Sequence, residues 1–214
     1  MKYFKYSYAL IFTSFLLLTV GGLVSCKKDY LTDGGLAKAY SSYSTYDYLA
    51  NHPYHDFDTV IMIINHFGLK DSVNAAGTFF APTDYSINRF MSNEQITSMD
   101  SLYAHISSKF LTQFMFSDST ITLRNASINP VLHQNWADTV CGVKKFAYTY
   151  GTANSAFTYY ILQYVQINGA LDGSSGPVGN DPADAVLNCQ TTGIKTSSGT
   201  NLNVLANNSN LKGR

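Results

Sequence analysis

The sequence predicts an α+β domain in which several short helices pack on small antiparallel β-sheets. Three observations predict it. Up to about residue 116, apolar residues recur at helical spacing. Beyond that, segments dense in Tyr, Thr, Val and Ile alternate with Gly, Asn and Ser, a pattern suited to strands and turns. Charged residues make up only 13% of the chain and Glu occurs once, at Glu94, whereas helical proteins usually carry many Glu and Lys. A chain of 214 residues can bury one good core without staples.

Residues 1–25 read as a leader outside the fold. Lys2 and Lys5 give a positive start, Ala9 to Leu18 are mostly apolar, and Leu23-Val24-Ser25-Cys26 closes the segment. This is the layout of a bacterial lipoprotein signal, with Cys26 as the lipid attachment site. The apolar run is shorter than the roughly 20 residues that a spanning helix needs. The expected place is therefore the outer membrane, facing the cell surface or the periplasm. Residues 26–43 are polar, contain Asp33-Gly34-Gly35 and read as a tether.

The domain is expected over 44–206. Tyr46 to Ala50 should be a short helix capped by Ser44 or Thr45 and stopped before Pro53. His52, His55, Asp56 and Asp58 share no metal-ligand spacing, and Asp58 is expected to cap the next helix. That helix runs from Val60 to Phe67, with Val60, Ile61, Ile64 and Phe67 as its buried stripe and Ile63 widening it. Gly68 stops it.

The central stretch begins at Gly77. Thr78, Phe79 and Phe80 suit a strand, and Pro82 ends it by lacking an N–H and biasing Ala81 away from helix. Thr83 can then cap a helix, with Asp84 in its first turn and Ile87, Phe90 and Met91 along its apolar side. Ser92 to Met99 reads as a turn. Asp100 to Phe116 reads as one longer helix with Leu102, Ile106, Phe110 and Phe114 on one face.

Thr120 to Leu123 is expected as a short strand, and Asn129 to Asp138, with His133 and Trp136, as a loop. Val143 to Tyr150 and Phe157 to Ile167 are expected to pair antiparallel around a turn at Gly151-Thr152-Ala153-Asn154. Asp172 to Asp184 reads as a flexible insertion without the spacing of a calcium loop. Thr191 to Lys195 and Asn201 to Leu205 flank a hairpin turn, and residues 207–214 form a polar tail.

Thr78-Phe79-Phe80-Ala81-Pro82-Thr83-Asp84, with the helix, glycine stop and second short helix before it, resembles the first signature box of the fasciclin domain. Leu202-Asn203-Val204-Leu205 is similar to that family's closing box. The resemblance covers about residues 44–206 and implies a fasciclin-like fold, built of small antiparallel sheets in a wedge or sandwich. It implies an extracellular adhesion and interaction module rather than an enzyme. The Tyr-His pair associated with partner binding in animal members is missing from Leu111 to Phe116, so integrin-type recognition is not implied.

Charge and motifs narrow the function. Lysine and arginine balance aspartate and glutamate at 14 each, and no basic stripe offers a nucleic-acid footprint. Gly-x-Ser-x-Gly, phosphate-binding and dinucleotide glycine motifs and His-Glu-x-x-His do not occur. No metal or cofactor is expected. Cys141 and Cys189 remain after Cys26 and could form one disulfide or stay two buried thiols; spacing does not decide between them. The leading expectation is a non-catalytic, lipid-anchored module that binds a surface protein or glycan. Cys26-Lys27-Lys28-Asp29-Tyr30-Leu31 resembles lipoproteins of Bacteroidetes glycan-uptake systems. The alternative is thus an accessory subunit docked on an outer-membrane transporter, and a second alternative is an unrecognised hydrolase.

Overall fold

A computed structural model describes residues 39–151, 156–173 and 176–212. The leader, Cys26, most of the tether, Thr152 to Asn154 of the predicted turn, Ser174, Ser175 and the last two residues lie outside the described residues. The rest of the fold is α+β. Helices α1 (Thr45–Ala50), α2 (Asp58–His66) and α3 (Lys70–Ala75) lead into strand β1 (Thr78–Ala81). Helices α4 (Asp84–Asn93), α5 (Met99–His105) and α6 (Lys109–Thr112) follow. Then come β2 (Met115–Phe116), β3 (Val131–Gln134), β4 (Val140–Tyr150), β5 (Phe157–Gln166), β6 (Ala185–Lys195) and β7 (Asn201–Leu205).

The strands form one seven-stranded sheet in the order β2-β1-β7-β6-β5-β4-β3. The expectation of separate, purely antiparallel sheets is corrected in two ways. First, β1 and β7 run parallel, with Phe79 beside Leu202 and Phe80 beside Asn203. Second, β6 joins the two halves. Its start pairs with β5 and its end with β7, across register shifts between Cys189 and Ile194. Gly193, at φ 75, supplies the left-handed residue that such a bulge favours.

The strand–helix corner forms as the residues dictate. All of Thr78–Ala81 is buried. Thr83 caps α4, its hydroxyl accepting from the Ser86 N–H at 3.4 Å. Ile87 and Phe90 are buried beneath it and Met91 is half-buried. Asp84 also reaches across to α2. Its Oδ1 accepts from the Thr59 N–H at 2.9 Å and the Val60 N–H at 3.4 Å. This corrects the expected role of Asp58: the position before α2 is Phe57, which makes no side-chain cap. Orphan N–H groups at a helix start need a partner, and here it comes from the first residue of α4.

Replacing Asp84 with alanine should therefore cost about 1–2 kcal/mol, the usual loss for a removed cap. Burial raises the pKa of this carboxyl, an effect only partly offset by the two N–H groups. Asp84→Asn keeps an acceptor and discards the buried charge, so its loss in urea denaturation should be the smaller.

The helix expected over 100–116 is broken. Ile106 is extended at φ −108 and ψ 169, α6 is a single short turn, and Met115–Phe116 is a strand. The Ser107 hydroxyl accepts from the Lys109 N–H at 3.3 Å, the local competition with helix that serine offers. Pairing of Met115 and Phe116 with Phe79 and Thr78 then extends the chain. Leu102, Ile106, Phe110 and Phe114 are nevertheless buried, as the spacing predicts. In α2, Ile63 lies at the centre of the buried side, whereas Ile61 and Phe67 are only half-buried.

Thr120 to Leu123 is not a strand. Its Ile121 carbonyl instead accepts from Asn201 Nδ2 at 2.7 Å. His133 lies in strand β3 rather than in a loop, because β4 starts at Val140 and pairs with it. The ends of the domain are ordered further than expected. Ser41 N–H donates to Lys195 O at 2.8 Å, and Leu211 is buried in the core.

Candidate functional site

Strands β4 and β5 reach well past the core. They pair along their whole length, from Gly142–Val165 to Tyr150–Phe157. Their outer neighbours end earlier: β3 pairs only up to Val143, and β6 only with Gln163–Gln166. The Lys145 N–H is still taken, by Ser127 O at 2.8 Å. Beyond it, Phe146–Tyr150 and Phe157–Leu162 form a two-stranded arm, and among the described residues no strand pairs with either outer edge.

Alternation decides what each side of the arm presents. Near its base, one side holds Cys141, Val143, Leu162 and Tyr164, which are core residues. The other side carries Phe146, Tyr148 and Tyr150 on β4 opposite Ile161, Tyr159 and Phe157 on β5. Val143 thus lies on the opposite face from Phe146, Tyr148 and Tyr150. Tyr148 and Tyr159 stack at 5.5 Å and 17°. Phe146 meets Tyr148 edge-on at 4.9 Å, and Tyr150 lies 5.8 Å from Phe157. Such pairs are favourable beyond area burial. These rings remain open: Tyr150 is 71% exposed and Phe157 58%. No charged residue occurs from Phe146 through Leu171.

The base of this face is closed by the loop after β5. Gly142 lies against Val165, Pro130 and Leu171, so a side chain there would meet the loop. Aspartates close the loop itself. Asp184 accepts from the Asn168 N–H at 2.7 Å and the Asp172 N–H at 2.8 Å, and Asp172 accepts from the Asp184 N–H at 2.8 Å. Asp181 accepts from the Ala170 N–H at 3.0 Å. Among the described residues no group of three His, Cys, Asp or Glu is placed to hold a metal ion.

The other sequence-selected residues lie elsewhere. Thr78, Phe79, Phe80, Ala81, Thr83, Leu202, Val204 and Leu205 come together as buried neighbours on β1, β7 and the corner between β1 and α4. They are structural. Gly142, next to Cys141, pairs with Val165 and Val165 with Val186, which places Cys141 two strands across and about four residues along from Cys189. That separation exceeds disulfide reach, so the two cysteines are not joined to each other. Burial pushes the Cys189 thiol pKa up, which keeps it protonated.

The histidines are dispersed. His66 stacks on Tyr103 at 3.8 Å, and His105 lies 3.8 Å from Glu94. Burial lowers the pKa of His52 and His133, with Asp56 and Asp118 opposing it in part. A histidine with a depressed folded pKa contributes stability that is present above its unfolded pKa of about 6.5 and lost as pH falls through the folded one. The melting temperature should therefore fall between about pH 7 and pH 5. His133→Gln should flatten the profile. A melting temperature constant across this window would contradict the burial of these rings.

Among the described residues no helix is long and apolar enough to cross a membrane. No protein-family model matches the chain, and no curated protein matches it. The periodicity of its strands does not single out the arm. The signal that could have found it is the uncharged aromatic run from Phe146 to Ile161, longer on both strands than a half-buried sheet requires.

Proposed function

We propose that the protein is a non-catalytic binding module of the fasciclin type, held at the outer membrane by lipid on Cys26, whose β4–β5 arm contacts a protein or glycan partner. The arm carries this reading. Contiguous exposed aromatic surface on a soluble domain marks interaction sites, and Tyr supplies rigid contact area at low entropic cost. The strand–helix corner and the Leu202–Leu205 strand support the family assignment by supplying its two boxes at adjacent, parallel positions in the sheet.

Replacing Tyr148 and Tyr159 together with serine should abolish capture on a glycan array or in a surface pull-down. The melting temperature should change little, because both rings lie outside the core. Equal capture by the variant and the wild type would remove the arm from the reading. The accessory-subunit alternative rests on Cys26 to Leu31, and co-purification with a β-barrel in mild detergent would favour it over a free module.

A further inference from the structure

The arm's outer edges narrow its partner. Each edge is a row of backbone N–H and C=O groups that only another backbone, or water, can satisfy. Natural edges are usually blunted by Lys, Pro or a bulge. Phe146–Tyr150 and Phe157–Leu162 contain no charge and no proline, and pair without a register shift. Insertion into lipid would leave these groups unsatisfied in hydrocarbon. An oriented sugar site usually combines rings with convergent polar side chains. The aromatic face offers Phe146, Tyr148, Tyr150, Phe157, Tyr159 and Ile161, with only phenol hydroxyls to donate.

We propose that the arm docks on the arm of a second copy of this chain, the edge of Phe146–Tyr150, unpaired among the described residues, pairing antiparallel with its symmetry mate about a twofold axis. A twofold interface brings each residue near its own copy or a close neighbour, so any charge on it repels itself. The uncharged run makes that repulsion absent here, and the nearest positive groups, Lys144 and Lys145, sit at the base of the arm. Pairing extends two strands into four and joins two aromatic faces into one continuous face. The inference names the partner of the arm and so rests on the binding reading above. The lipid tether in that reading would confine copies to one plane and raise their effective concentration.

The test uses the full-length chain in detergent, followed by analytical ultracentrifugation. Wild type should be a dimer. Tyr148→Glu and Tyr148→Lys should each weaken self-association at least about 100-fold, because like charges are juxtaposed. Mixing the two variants should restore a dimer, a rescue that loss of folding cannot produce. Tyr150→Glu and Tyr150→Lys, at the most exposed ring of the arm, form a second pair if the first misfolds. A monomeric wild type, or variants that dimerise as well as it does, would overturn the inference. If the wild type is monomeric yet captures a surface ligand that Tyr148→Glu does not, self-pairing falls and the binding reading stands. If it is monomeric and captures nothing, both fall.

Discussion

Replacing Phe80 with alanine is expected to destabilise the domain by about 3–5 kcal/mol, the range for deleting a buried phenylalanine. Phe80 sits on β1 with no exposed surface. Its ring lies 5.4 Å from Tyr164 and 5.8 Å from Phe116, and Phe114 is 5.2 Å from the same Tyr164. The cluster has little freedom to collapse. Tyr164 is pinned through its hydroxyl to Gln113 O at 2.8 Å, and the Phe80 N–H to Phe114 O at 3.0 Å. A cavity would therefore persist, adding its cost to the lost transfer energy. Total stability of a small domain is about 5–15 kcal/mol, so this single change should consume a large part of it. Urea denaturation measures the effect. Tyr85→Ala on the exposed side of α4 is the control and should change stability by less than about 0.5 kcal/mol.

Gly77→Ala should cost about 3 kcal/mol, at the upper end of the usual overpacking penalty. The reason is close approach, not backbone conformation. A Cβ at Gly77 would overlap the Ser117 carbonyl oxygen, a backbone atom that cannot swing aside. The same glycine holds both neighbours of β1. Its N–H donates to Phe116 O at 2.8 Å, and its carbonyl accepts from the Asn201 N–H at 2.8 Å. Moving Ser117 to admit a methyl group would loosen β2. Gly68 provides the contrast. It sits at φ 64 with open space around it, so Gly68→Ala pays only the left-handed penalty of about 1–2 kcal/mol. Denaturation of the two variants side by side separates steric overlap from conformational strain. Equal costs would contradict the packing described at Gly77.

What the sequence made legible was local. Ser44 caps α1 and Thr83 caps α4, each through its own hydroxyl within three residues. Gly68 ends α2 in the left-handed region. Such signals act within one turn of helix and need no partner from elsewhere. The errors came where a distant segment decides. Leu102, Ile106, Phe110 and Phe114 keep a four-residue spacing across Ser107 and Ser108, yet β2 forms because β1 is there to pair with it. β3 is short and does not alternate visibly; β4 recruits it. The cap on α2 comes from Asp84, which is 25 positions from Thr59 and invisible to any local rule.

The candidate site was hidden for a related reason. Phe157 to Ile167 is the densest strand pattern in the chain. Tyr164 and Val165 are buried, but Phe157, Tyr159 and Tyr160 are exposed, because β6 leaves β5 at Gln163 to pair with β7. Apolar density along a strand reports what it could bury. How far its neighbours extend decides what it does bury.

The fold depends most on β1 as the inner strand from which the Pro82 corner launches α4. Native-state hydrogen exchange tests this directly. The amides of Phe80 and Ala81, and those of Leu202 to Val204 in β7 beside them, should exchange only through global unfolding, with a free energy equal to that from denaturant. Exchange of the Phe80 and Ala81 amides by low-energy local opening, while β7 stays protected, would contradict it.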